Sequence, residues 1–106
     1  MEPLPDRPLT LAQIQEYVAK MEVERGFADS TLVEQTLKLA EETGEVCKAV
    51  RKQAALSVDP ASKVGGLGEE LADVLIYLAA IANRGSIDLS QALRDKEAVN
   101  ENRTWT

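Results

Sequence analysis

A chain of 106 residues, 44% apolar and 28% charged, has the size and composition of a single domain. Its 18 acidic residues against 12 basic ones give a net charge of -6, which argues against holding a nucleic-acid polymer by its phosphates. No histidine occurs, so Ser/His/Asp, Cys/His and histidine general-base systems are excluded, leaving carboxylate, lysine, tyrosine or metal-assisted chemistry.

Residues 1–9 are proline-rich and acidic, which predicts a flexible lead and not a signal peptide. Residues 10–106 are expected to form one all-α domain. Thr10 can cap a first helix whose apolar residues Leu11, Ile14, Val18 and Met21 recur every three or four positions, with Gly26 as its stop. Asp29 or Ser30 is then expected to cap a second helix running to about Ala54. Leu32, Val33, Leu37, Ala40, Gly44, Cys47 and Val50 drift along one side as its apolar face. Cys47, the single cysteine, reads as a buried spectator thiol that requires no oxidising compartment.

The stretch LSVDPASKVGG, 56–66, has loop composition. A third helix follows in LGEELADVLIYLAAIANRG, with Gly85 as its stop. Its apolar run, Val74 to Ala82, is far short of the roughly 20 residues that span a bilayer, so a soluble cytoplasmic protein without membrane attachment is expected. Asp88 can cap a fourth helix with sparser apolar positions Leu89, Ala92, Leu93 and Val99. The third helix is apolar on nearly every face, more than a lone four-helix chain of this size can enclose. A second copy of the chain is therefore expected to cover it.

The chemistry concentrates in two carboxylate pairs. Glu42 and Glu45 are three residues apart, so they project about 60° apart on one helix face, and Glu70 and Asp73 repeat that spacing on the next helix. Antiparallel packing of these helices would bring the four acids together. A single E-x-x-E is common on solvated faces, but both pairs here are embedded in apolar context, LAEETGEV and GEELADVLIYL. Four negative charges in a partly dry site require a cation or protonation. Oxygen-only ligands favour Mg²⁺ or Mn²⁺. Glu41, at the edge of the group, is free to orient or deprotonate a water. Gly44, a mid-helix glycine that costs about 1 kcal/mol against alanine, suggests a close approach of backbone or ligand.

At these residues the sequence resembles the MazG-type nucleoside triphosphate pyrophosphohydrolases, whose pattern is E-E-x-x-E followed by E-x-x-D. It stands here as EETGE, Glu41 to Glu45, and as EELADVLIYLAAIA from Glu69. The likeness continues through DLSQALRDKEAVNENRTW, where Lys96, Asn100 and Arg103 match a K-x-x-x-N-x-x-R element. The resemblance implies an all-α, four-helix-bundle-like fold in a homodimer or homotetramer. It implies Mg²⁺-dependent hydrolysis of a (d)NTP to monophosphate and pyrophosphate, in the house-cleaning of noncanonical or surplus nucleotides. Glu42, Glu45, Glu70 and Asp73 would be metal ligands and Glu41 the water-activating group. Lys96 and Arg103 would hold phosphate, and Asn100 sugar or phosphate. Tyr77 would lie against the nucleotide, or else be a core aromatic with a wet hydroxyl. Lys38 would touch phosphate or form an ion pair on its own helix. Large aromatics that relatives place in the first helices are represented only by Tyr17 and Phe27, and Trp105 either reaches across an interface or sits at a loose end.

Two other readings fit the same residues: a noncatalytic helical oligomerisation or regulatory module with an acidic cation site, and a related enzyme acting on a phosphoribosyl nucleotide.

Overall fold

Helix α1, Leu11–Arg25, begins with a reciprocal cap: the Gln13 N–H donates to Thr10 Oγ1 at 3.1 Å, and the Thr10 N–H donates to Gln13 Oε1 at 2.8 Å. Gly26, at φ 81°, closes it in the left-handed conformation that favours glycine. The computed structural model describes residues 1–56, 59–61 and 64–105. The loop expected over 56–66 falls partly outside these described residues.

Helix α2 spans Leu32–Gln53, and its cap is Thr31, not Asp29 or Ser30 as expected. The Glu34 N–H donates to Thr31 Oγ1 and Glu34 Oε1 accepts from the Thr31 N–H. The residues three positions after Asp29 and Ser30 are Leu32 and Val33, which cannot return such a bond. Helix α3 runs Leu67–Arg84 between Gly66 and Gly85, and α4, Leu89–Glu101, starts where Asp88 accepts from the Gln91 N–H. The described residues contain these four helices and no strand, the all-α architecture read from the sequence.

Helices α2 and α3 are antiparallel neighbours, since Ser30 lies by Arg84 at one end while Glu42 meets Glu70 and Asp73 towards the other. Helix α1 crosses the C-terminal half of α3, and α4 packs on α1. Val18, Met21, Ala79 and Ala80 form the buried core, flanked by Ile14, Tyr17 and Ile76. Two polar nodes tie α1 into place. Gln15 donates to Asn83 Oδ1 and the Ile87 carbonyl and accepts from the Leu89 N–H. Arg84 pairs with Glu22 and donates to the carbonyls of Phe27, Ser30 and Ala80.

The inner face of α2 is Gln35, Leu39, Glu42, Val46 and Ala49, alternating steps of four and three. The stripe expected to be apolar and inward points the other way: Leu32, Val33, Leu37 and Val50 are exposed. Cys47 is likewise exposed, because it lies two residues, about 200°, from buried Ala49. A methyl group at Gly44 would meet nothing within 4 Å, so none of the described residues makes the expected close approach there. On α3, Leu71, Leu75 and Leu78 form a second exposed stripe. The radius of gyration is 16.3 Å, against about 13 Å for a compact domain of this length. Among the described residues no helix is long and apolar enough to cross a membrane.

Candidate active site

Glu42 belongs to the α2 face that packs on α3, and the first two turns of α3 bring Glu70 and Asp73 against it. One carboxylate oxygen from each of the three lies within 4.8 Å of the other two. Glu42 and Glu70 are half-buried. Glu69 and Glu70 occupy the first turn of α3, where unpaired backbone N–H groups favour negative charge.

Gly65 explains how the preceding loop reaches this point. A methyl group there would overlap Glu70 Oε1 and come within 3.4 Å of Glu69 Oε2, so glycine lets the backbone pass close to the carboxylates without displacing them. In the sequence alone the Gly65–Gly66 pair reads only as loop composition. The usable signal was its position immediately before an acidic helix start. Replacing Gly65 with alanine should displace the Glu70 carboxylate and weaken divalent-cation affinity about tenfold, with helix content unchanged, as read by calorimetric titration and circular dichroism.

The electrostatics of the group are those of crowded anions. Burial pushes the Glu42 carboxyl above its ordinary value, and Asp73, Glu70, Glu45 and Glu41 push it further. Glu70 is raised in the same sense by burial, then by Asp73, Glu45 and Glu69. A divalent cation among the oxygens would reverse each of these repulsions. The donor set fits one: three carboxylates, no nitrogen or sulfur ligand, and room for waters or phosphate oxygens suit Mg²⁺ or Mn²⁺. Tyr77 is held above the usual phenol range by burial, then by Glu42, Asp73 and Glu41, and so remains a hydroxyl donor at neutral pH.

Glu45 stands one step outside the three. Its Oε1 is 3.5 Å from Lys48 Nζ, although it is near enough to raise both Glu42 and Glu70. Glu41 is exposed beside Glu42. From Asp73 and Tyr77 a cleft of about 590 Å³ extends between α1, α2 and α3, with Lys38 exposed on its wall and Met21, Phe27 and Gln35 farther along.

The structure does not bring Lys96, Asn100 and Arg103 to this cleft, because α4 packs on α1. Lys96 is exposed. Asn100 Nδ2 donates to Glu97 Oε1, while its buried Oδ1 has no partner among the described residues. The Arg103 guanidinium lies 4.9 Å from the centre of the Trp105 ring, and Trp105 Nε1 donates to the Asn100 carbonyl at 3.2 Å. The chain end is thus folded onto the last turn of its own α4.

Comparison with known proteins places this geometry in company. Residues 30–102 match the MazG nucleotide pyrophosphohydrolase domain. The chain is 33% identical over 96 residues to a dATP/dGTP diphosphohydrolase of Salmonella phage PMBT28, a match covering 91% of this chain and 28% of that protein. It therefore spans less than a third of that relative's length. Among solved structures it is similar to the cyanophage S-2L MazG-like pyrophosphohydrolase bound to dGDP and three catalytic Mn²⁺ ions per active site. That match has a TM-score of 0.70 and 29% identity, and covers 93% of this chain and 85% of the other. It is also similar to iMazG from Vibrio DAT 722, with a TM-score of 0.68, 28% identity and coverage of 90% and 100%.

Proposed function

Since the chain belongs to the family of MazG nucleotide pyrophosphohydrolase domains, we propose that it hydrolyses (deoxy)nucleoside triphosphates to monophosphate and pyrophosphate, using Mg²⁺ or Mn²⁺. The observation that carries this reading is the convergence of Glu42, Glu70 and Asp73, the last of which lines the cleft. The Mn²⁺ ions and dGDP of the cyanophage relative support it.

Glu42, Glu70 and Asp73 would hold the cation, with Glu45 joining once it exchanges Lys48 for the metal. The bound ion supplies neutralisation of phosphate charge and a lowered pKa for water. Glu41, exposed next to Glu42, would take the proton of the attacking water. Lys38 offers a point charge to the phosphates, and the Tyr77 hydroxyl donates along the same wall. The role we assign to this activity is the house-cleaning of noncanonical or surplus nucleotides that the family resemblance implies. The test is product analysis over a panel of NTPs and dNTPs with each metal. Monophosphate and pyrophosphate are expected, whereas nucleoside diphosphate and orthophosphate would contradict the assignment.

The two uncovered stripes, Leu32, Val33, Leu37 and Val50 on α2 and Leu71, Leu75 and Leu78 on α3, support a homodimer or homotetramer. In that assembly Lys96, Asn100 and Arg103 would serve a site they do not reach within their own chain. Sedimentation should give at least twice the 11.6 kDa chain mass, and a strictly monomeric species at high concentration would contradict this.

A further inference from the structure

We infer that Gln35 is the residue that reads the nucleobase, by accepting a hydrogen bond from an exocyclic amine on its edge; this rests on the triphosphate reading above. Gln35 is only 6% exposed, yet it lines the same cleft as Asp73 and Tyr77. It sits two turns before Glu42 on α2, about 10 Å along the axis. A triphosphate gripped at the carboxylates would therefore send its base toward this end.

The far end of the cleft has the make-up of a base pocket. Val18, Met21, Ile76 and Ala80 give it an apolar floor, and Phe27, 55% exposed, stands at the rim as an unstacked ring. The turn carrying Phe27 is held rigidly. Its N–H donates to the Glu22 carbonyl at 2.7 Å, and its carbonyl accepts from the Ser30 N–H and from Arg84.

The same clamp holds the partner of Gln35 in place. Arg84 Nε donates to the Ser30 carbonyl at 2.6 Å, and Ser30 Oγ accepts from Gln35 Nε2 at 2.9 Å. With one of its two N–H groups thus committed, the carboxamide offers the second N–H and Oε1, the latter with no hydrogen-bond partner among the described residues. An acceptor beside this apolar floor, in a cleft also lined by Glu22, Arg25, Asp29 and Glu34, discriminates because a base lacking the matching donor leaves it unpaired. The ligand class is therefore a nucleotide whose base carries an exocyclic amine, such as dATP or dGTP, in preference to dITP, which has neither amine.

The test compares kcat/KM for dATP, dGTP and dITP, with Kd for the corresponding monophosphates by calorimetry, in the wild type, Gln35→Leu and Ser30→Ala. The wild type should favour dATP or dGTP over dITP at least tenfold. Gln35→Leu should collapse that ratio to within about twofold, in both kcat/KM and Kd. Ser30→Ala, which frees the carboxamide to turn without removing it, should shrink the ratio by a smaller factor. If Gln35→Leu binds and turns over nucleotide with the wild-type ratios, or if the wild type does not distinguish dITP, the inference is overturned while the hydrolase reading stands. No pyrophosphate from any nucleotide would overturn both.

Discussion

Glu42→Gln is expected to lower kcat/KM at least about 100-fold, since even groups that only orient a metal ligand are worth 10 to 100-fold. The same substitution should make the metal-free protein more stable at neutral pH. Glu42 is pushed up by burial and then by Asp73, Glu70, Glu45 and Glu41, so the folded chain binds that proton more tightly than the unfolded chain does. Its contribution to stability is complete below the ordinary glutamate value of about 4.3 and declines as pH rises through the raised value. In chelator, the Tm of Glu42→Gln should exceed that of the wild type at pH 7, with the gap closing toward pH 4. Added Mn²⁺ should reverse the order, stabilising the wild type only. A purely structural glutamate would give equal or opposite Tm changes and would leave turnover nearly intact.

Arg84→Met should destabilise the fold by about 3 to 5 kcal/mol. The side chains of Arg84 and Glu22 are 14% and 9% exposed, and their pairing ties α1 to α3. Removing the guanidinium leaves a largely buried carboxylate without its counter-charge and strips donors from the carbonyls of Phe27, Ser30 and Ala80. For a chain of this length the Tm should fall by about 12 °C or more. Pairing the change with Glu22→Gln should recover part of the loss, because the stranded charge is then gone while the carbonyls stay without Arg84. An additive double variant would mean that the ion pair contributes little.

Much of this architecture was legible in the chain because it is locally encoded. Thr10, Gly26, Gly85 and Asp88 punctuate helices through bonds and conformations confined to a few residues. The meeting of Glu42, Glu70 and Asp73 was readable for a similar reason: repeated three-residue spacing within apolar segments places acids on faces that must pack. What was hidden depends on distant partners or on the choice between two plausible faces. Helix α2 carries two stripes, and periodicity alone does not say that Gln35, Leu39, Glu42, Val46 and Ala49 turn inward while Val33 and Leu37 stay outside. A buried glutamine becomes sensible only with Ser30 folded back across a turn, and Arg84 only with Glu22 brought over by a crossing helix. Gly65 needed the Glu70 carboxylate to explain it. The placement of Lys96, Asn100 and Arg103 beyond the cleft reflects α4 packing on α1, which no motif spacing reveals.

The central claim is that these acids are gathered to hold a divalent cation, and titrating Mn²⁺ into the metal-free protein by calorimetry tests it most directly. Saturable binding by the wild type, lost in both Glu70→Gln and Asp73→Asn while the helical circular dichroism is retained, is the predicted result. Wild-type protein that takes up no Mn²⁺, or variants that bind it as well as the wild type does, would contradict the account.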